Sequence, residues 1–300
     1  MMKIVSKNQF ISSINGVDLY IKREDLLHDF ISGNKFRKLK YNIEEAKIQH
    51  KETIVTFGGA FSNHIAATSY AAKINNFQSI GIIRGEEIKH NYLENPTLRF
   101  ASENGMKFIF VTRETYRDKE NFIYKVLDNN ILENSYIIPE GGTNDLAING
   151  CKEILSENDP IFDIITTSVG TAGTICGLIE SAFSHQKIIG FPALKGNFHQ
   201  EIIENYTKKN NWELNFDYHF GGYGKIDDNL ILFLNQFYSK YKIPLDPIYT
   251  GKMVFGLIDL INKNYFSKNS KILMIHTGGL QGIEGVNKIL KQKNKKIIEY

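Results

Sequence analysis

The chain has 300 residues, 42% hydrophobic and 23% charged, the proportions of a globular protein with a well-buried core and room for two domains. A formal net charge of +3 is too small for a nucleic-acid footprint, and the lysine-rich stretch Lys288 to Lys296 reads as a solvated terminal helix or tail. Lys3, Lys7, Asn8 and Asp18 break each early apolar run, and nothing approaches the ~20 apolar residues of a membrane span, so neither a signal segment nor a membrane partner is expected.

Short β-rich runs alternate with helical stretches, the pattern of an α/β protein with largely parallel sheets. Thr53 to Phe57 predicts a strand and Asn63 to Lys73 an alanine-rich helix. Ser79 to Ile83 is a second strand, followed by a polar loop and a helix opening near Pro96, where a missing N–H costs nothing. Met106 to Val111 is a third strand, Glu114 to Asn129 a helix, and Tyr136 to Pro139 a fourth strand running into Glu140-Gly141-Gly142-Thr143. A helix over Asp145 to Ser156 comes next, then the strand Phe162 to Ser168 and a glycine-rich turn at 170–174. A helix over Ile175 to Phe183, a strand at Lys187 to Phe191 and a strand at Lys271 to Ile275 complete the reading. Residues 51–139 are expected to form a smaller α/β domain inserted into a larger one made of 1–50 and 140–300.

Three segments carry chemistry. In Ser32-Gly33-Asn34-Lys35-Phe36-Arg37-Lys38 a lysine follows a Gly-Asn turn, with Lys38 and Lys40 at helix-like spacing behind it. A desolvated lysine with a lowered pKa is able to form a Schiff base with an aldehyde. In Gly170-Thr171-Ala172-Gly173-Thr174 small residues join a strand to a helix, so backbone N–H groups and hydroxyls are free to cradle a phosphate; a plain tight turn is the other reading. No Gly-Lys-Ser/Thr follows, and G-x-x-G replaces the dinucleotide fingerprint, which disfavours nucleotides. Ser62, after Gly58 and Gly59, either caps the helix that follows or joins Asn63 in holding a carboxylate at the helix start. The spacing around Ser62 is not that of a hydrolase nucleophile elbow. Cys151 and Cys176 show no metal-like spacing and fit a reducing, cytoplasmic compartment. His28, His50, His90, His185, His199 and His219 form no ligand pattern, so no metal is assigned.

In this order these pieces resemble the pyridoxal-phosphate enzymes of the tryptophan-synthase-β fold (fold type II), most closely the 1-aminocyclopropane-1-carboxylate deaminase and D-cysteine desulfhydrase family. The matching stretches are Ile21-Lys22-Arg23-Glu24-Asp25-Leu26, Gly33 to Leu39, Ser62-Asn63-His64, Gly170 to Thr174, Gly222-Tyr223-Gly224, Tyr249-Thr250-Gly251-Lys252 and His276-Thr277-Gly278-Gly279. The resemblance implies pyridoxal 5'-phosphate as cofactor and Lys35 as the Schiff-base lysine. It implies Asn63 beside the ring hydroxyl and Gly170, Thr171, Ala172, Gly173 and Thr174 at the phosphate. Ser62, Asn63 and His64 would contact the substrate, with Ser62 also a nucleophile or proton donor. Tyr223 and Tyr249 would stand near the reacting carbons as acid/base or orienting groups. A homodimer is implied by the family alone, and the charged run from Lys22 to Asp25 is expected to form structural ion pairs.

The family's deaminases carry a glutamate in the position occupied here by Thr250 and a glutamine where this chain has His64. A hydroxyl facing the pyridine nitrogen favours a neutral ring, which suffices when a good leaving group departs from the β-carbon. Thr277 is the preferred nitrogen partner and Thr250 the alternative. The expected reaction is therefore β-elimination from a small amino acid, D-cysteine giving pyruvate, ammonia and sulfide. Opening of the cyclopropane ring to 2-oxobutyrate and ammonia is the rival on the same scaffold. A pyridoxal-phosphate-binding protein without turnover is the rival from another class.

Overall fold

The computed structural model describes residues 5–300; residues 1–4, the start of the expected larger domain, lie outside the described residues. Strands β1 (Asn8–Ile14) and β2 (Val17–Lys22) form a hairpin, followed by helix α1 (Asn34–Ile48). Then come β3 (Thr53–Gly59), α2 (Asn63–Ile74), β4 (Gln78–Arg84), α3 (Pro96–Glu103), β5 (Met106–Val111), α4 (Lys119–Val126), α5 (Asn129–Glu133) and β6 (Ser135–Ile138). The second half holds α6 (Asp145–Lys152), β7 (Ile164–Val169), α7 (Gly173–Ser181), β8 (Lys187–Pro192), α8 (Phe198–Tyr206) and β9 (Trp212–Leu214). It ends with α9 (Asp228–Tyr241), α10 (Thr250–Asn262), β10 (Lys271–Ile275) and α11 (Gly282–Gln292).

The strands form two sheets. Six lie in the order β1-β2-β10-β7-β8-β9 and four in the order β5-β4-β3-β6. Every pairing is parallel except that of β1 with β2. The central strands are apolar on both faces because helices cover both: β3 is buried over six of its seven residues, and β10 over four of five. Helix α1 ties the two sheets together. Its Leu39, Ile43 and Ala46 pack with Ile54 of β3, Ala67, Ala71 and Ala72 of α2, and Ile138 of β6.

The expected strands all form, within a few residues. The expected helix 114–129 is broken: a 3-10 turn at Thr115–Asp118 leads into α4, and Leu127 turns extended before α5. Leu127 is buried beside Tyr116 and Ile123, so leaving the helix places its side chain in the core. Helix α6 stops at Lys152 rather than Ser156. There the Ser156 N–H and hydroxyl donate to Asp159 at 2.6 and 3.0 Å, and this local turn competes with the helix. The hairpin over residues 8–22 has no counterpart among the expected elements; Asn15 (φ 50°) and Gly16 (φ 80°) turn it, the geometry in which Asn-Gly excels.

The charged run after β2 forms buried ion pairs. Lys22 Nζ lies 2.9 Å from Asp159, and Arg37 grips Glu24 through two nitrogens at 2.8 and 2.9 Å. Arg23 does the same with Asp25.

Candidate active site

Parallel strands deliver their C-terminal ends to one side of a sheet, and ligands collect there. Gly59 of β3, Arg84 of β4, Glu140 after β6, Gly170 after β7 and Thr277 after β10 all line one cavity of about 140 Å³. Lys35, Ser62, Asn63, His64, Thr171, Ala172, Thr174, Tyr223 and Tyr249 line it too. Sequence-distant candidates thus meet at one place.

Lys35 is held by the way α1 begins. Gly33 has φ +63°, and a Cβ there would collide with the Thr277 carbonyl, to which Asn34 N–H donates at 3.2 Å. The start of α1 is thereby docked on the turn after β10. The Lys35 amine donates to Asn34 Oδ1 at 3.4 Å. Burial, helped by the positive charge of Lys38, pulls its pKa down to about 7. A large share of this amine is therefore uncharged, and nucleophilic, near neutral pH.

Lys38 lies three residues on, on the same helix face. It is 2% exposed and donates to Gly141 O at 3.0 Å, Thr143 Oγ1 at 2.9 Å and Thr171 Oγ1 at 3.2 Å. Among the described residues no carboxylate pairs with it, and burial lowers its pKa. An ammonium held this way is costly until an anion joins it. Ala172 stands in the left-handed region at φ 60° and turns the chain into α7, whose first-turn residues Thr174 and Ile175 line the same cavity. A Cβ on Gly173 would come within 2.8 Å of Thr143 Oγ1 and 3.1 Å of Lys38 Nζ, so only glycine leaves this cradle open. Thr174 Oγ1 accepts from Asn34 Nδ2 at 2.8 Å, which links the cradle back to α1. The residues present fit a phosphate group here.

Ser62 caps α2, its Oγ accepting from Ile65 N–H at 3.4 Å. Asn63 Oδ1 accepts from Gln281 at 2.9 Å, and its amide nitrogen reaches the tight approach at Gly279. The His64 ring is turned inward: it is 1% exposed and bonded to Thr56 Oγ1 at 2.7 Å and Thr68 Oγ1 at 3.4 Å. Thr56 donates its proton to Ile138 O, so His64 Nε2 carries the hydrogen that Thr56 accepts. Burial beside Lys35 and Lys38 holds this imidazole neutral, well below its usual pKa. Little of its polar capacity is left for a ligand.

Tyr223 and Tyr249 face each other with ring centres 6.2 Å apart. Desolvation raises both phenol pKa values, that of Tyr249 well above the usual 10, so both keep their protons. Thr277 lines the cavity and bonds to Ser168 Oγ and Thr250 Oγ1, each at 3.1 Å. Thr250 is wholly buried behind it. The nearby carboxylate, Asp246, accepts from the N–H groups of Ile248, Tyr249 and Thr250 at 2.7 to 2.9 Å. Its oxygens are spent on starting α10.

Among the cavity residues that sequence reasoning left without a role are Lys38, Arg84, Glu140 and Ser168. The i, i+3 spacing from Lys35 pointed at Lys38. The other three sit at or just past the ends of predicted parallel strands, which is the signal that finds them.

A family model described as "Pyridoxal-phosphate dependent enzyme" matches residues 7–278. A Pyrococcus horikoshii protein, provisionally named 1-aminocyclopropane-1-carboxylate deaminase, is 31% identical over 91% of this chain and 89% of its own length. An Arabidopsis thaliana protein named bifunctional D-cysteine desulfhydrase/1-aminocyclopropane-1-carboxylate deaminase, mitochondrial, is 30% identical over 90% of this chain and 74% of its own. The crystal structure of a homologue of that deaminase superposes with a TM-score of 0.82 at 30% identity, covering 96% of this chain and 94% of the other.

Proposed function

This chain belongs to the pyridoxal-phosphate dependent enzyme family, and from that premise we propose that it eliminates the β-substituent of a small amino acid, D-cysteine first, giving pyruvate, ammonia and sulfide. The observation that carries this reading is the pair of hydroxyls of Ser168 and Thr277 at the cavity wall, backed by Thr250, together with the commitment of Asp246 to three backbone N–H groups. A hydroxyl partner leaves the pyridine uncharged, enough for a good leaving group.

In this reading Lys35 would hold the cofactor's aldehyde carbon, Lys38 with the turn 170–174 its phosphate, Asn63 its ring hydroxyl and Thr277 its ring nitrogen. Once bound, the cofactor supplies the electron sink that acidifies the Cα–H of the substrate. The N–H groups at the start of α2 and the Ser62 hydroxyl bind the substrate carboxylate. Once displaced by the substrate's own amino group, the Lys35 amine would be free to take the Cα proton, a role that its lowered pKa suits. Tyr223 and Tyr249, whose phenols stay protonated, orient the substrate and donate toward the departing sulfur. The four-stranded sheet supports a smaller unit over 51–139 that closes on the larger one, 1–50 with 140–300, and excludes water.

A second reading, opening of 1-aminocyclopropane-1-carboxylate, is favoured by the names of the relatives. Assaying both substrates for pyruvate and 2-oxobutyrate separates the two. Thr250→Glu, which sets a carboxylate beside Thr277, should shift the ratio toward ring opening; an unchanged ratio refutes the electronic argument. Retention of Ser62, Tyr223 and Tyr249 at the cavity speaks against a mere binding protein.

A homodimer is supported by the exposed Phe30, which stacks with half-buried Phe100 and lies 4.6 Å from half-buried Tyr70, with Leu26 uncovered nearby in the chain. Two buried, unpaired cysteines support a reducing, cytoplasmic location. Among the described residues no helix is long and apolar enough to cross a membrane.

A further inference from the structure

Strand β4 ends in a cation for which the reading above has no task. Arg84 pairs across the sheet with Gly59 and Val111 and lines the cavity. Its guanidinium lies 5.6 Å from the centre of the buried Tyr116 ring, and one of its nitrogens stands 3.6 Å from where a Gly59 Cβ would be. Glu140, which lines the same cavity, is matched by Lys119 at 3.3 Å. Among the described residues Arg84 has no such partner.

An unpaired arginine on an ordinary surface is simply solvated. This one is laid over an aromatic ring, at the mouth of the cavity, one strand away from the β3–α2 turn. The start of α2 provides for the substrate's α-carboxylate, so the planar guanidinium fork remains for the other end of the substrate. Glu140, the acid that lines the same rim, is engaged by Lys119 and does not cancel it.

We propose that Arg84 selects amino acids whose β-carbon carries an oxyanion, a sulfonate or a phosphate ester. The inference rests on the β-elimination reading and names the substrate class of that same site. In the elimination the Cα proton leaves to the base, and its electron pair becomes the Cα=Cβ bond. The pair of the Cβ–X bond departs with X. A sulfonate leaves as sulfite and a phosphate ester as inorganic phosphate; water then converts the remaining enamine to pyruvate and ammonia. The leaving group gains negative charge as its bond breaks, so a bidentate guanidinium contact is stronger in the transition state than in the ground state. D-Cysteine, with its neutral thiol, is eliminated at the same site without this contact.

The test compares kcat/KM for O-phosphoserine and 3-sulfoalanine, in both enantiomers, with that for β-chloroalanine. It uses the holoenzyme and its Arg84→Gln and Arg84→Lys variants. The expected result is a wild-type preference for the oxyanions that falls roughly 10- to 100-fold in Arg84→Gln and partly returns in Arg84→Lys. An unchanged ratio, or an equal loss on all three substrates, overturns the assignment. Calorimetric binding of aspartate against asparagine supplies a readout free of turnover: aspartate should bind at least tenfold more tightly, and only with Arg84 present. Equal binding of the two refutes the role of Arg84. Should the aspartate preference hold while no amino acid yields product, elimination fails and the specificity assignment stands. Turnover of β-chloroalanine with no oxyanion preference has the reverse meaning.

Discussion

Replacing Lys38 by methionine removes one charge and three donors while nearly preserving length and apolar volume. The amine now makes three hydrogen bonds at 2.9 to 3.2 Å, all to neutral oxygens, and no carboxylate among the described residues balances it. Against a doubly charged phosphate, one charge-assisted hydrogen bond contributes about 1.5–3 kcal/mol. At about 1.4 kcal/mol per tenfold, cofactor binding should weaken roughly 10- to 100-fold. Thr143 and Thr171 remain bonded to each other at 2.6 Å, so the cradle itself should survive the change. The assay is a visible-absorbance titration of apoprotein with pyridoxal 5'-phosphate and, in parallel, with pyridoxal, which lacks the phosphate. Lys38 also depresses the pKa of Lys35, but both aldehydes meet the same amine, so the ratio of their affinities cancels that effect. The ratio should fall. If both aldehydes weaken equally, or neither does, Lys38 does not face the phosphate.

Two further outcomes follow from buried charge. The Lys35 amine binds its proton less tightly than a free lysine, so reductive alkylation of the apoprotein at this residue should be half-maximal near pH 7. It should be slow below that and complete well before pH 10; mass spectrometry of the modified peptide checks it, and a midpoint near 10 refutes the burial argument. Glu24→Ala leaves the guanidinium of Arg37, itself 1% exposed, facing an emptied site, because the Arg37–Glu153 contact is long at 3.6 Å. The loss in unfolding free energy should be about 3–5 kcal/mol by urea titration. Glu24→Leu combined with Arg37→Met should recover much of it, whereas a loss below about 1 kcal/mol for Glu24→Ala would show that Arg37 reaches water.

Much of this protein was legible along the chain. Alternating apolar runs and helical stretches marked the parallel strands, because a strand covered on both faces must be apolar throughout, as in Thr53 to Phe57 and Lys271 to Ile275. The glycine at 33, the cap at Ser62 and the small-residue turn at 170–174 were visible because each answers a local backbone demand. What remained hidden depends on neighbours far away in the sequence. The end of α6 is set by Asp159, and the break before α5 by the place that Leu127 finds in the core. Thr250 and Thr277 both read as cavity hydroxyls, yet only packing puts Thr277 at the wall and Thr250 behind it. His64, expected at the substrate, spends its ring on Thr56 and Thr68. Composition and local pattern act over a few residues, so the chain alone determined its elements, its turns and the kind of chemistry on offer. Charge balance and burial sum over the whole fold. Tertiary structure therefore decided which lysine lacks a counter-ion, which hydroxyl meets the cavity, and which arginine is left to read a substrate.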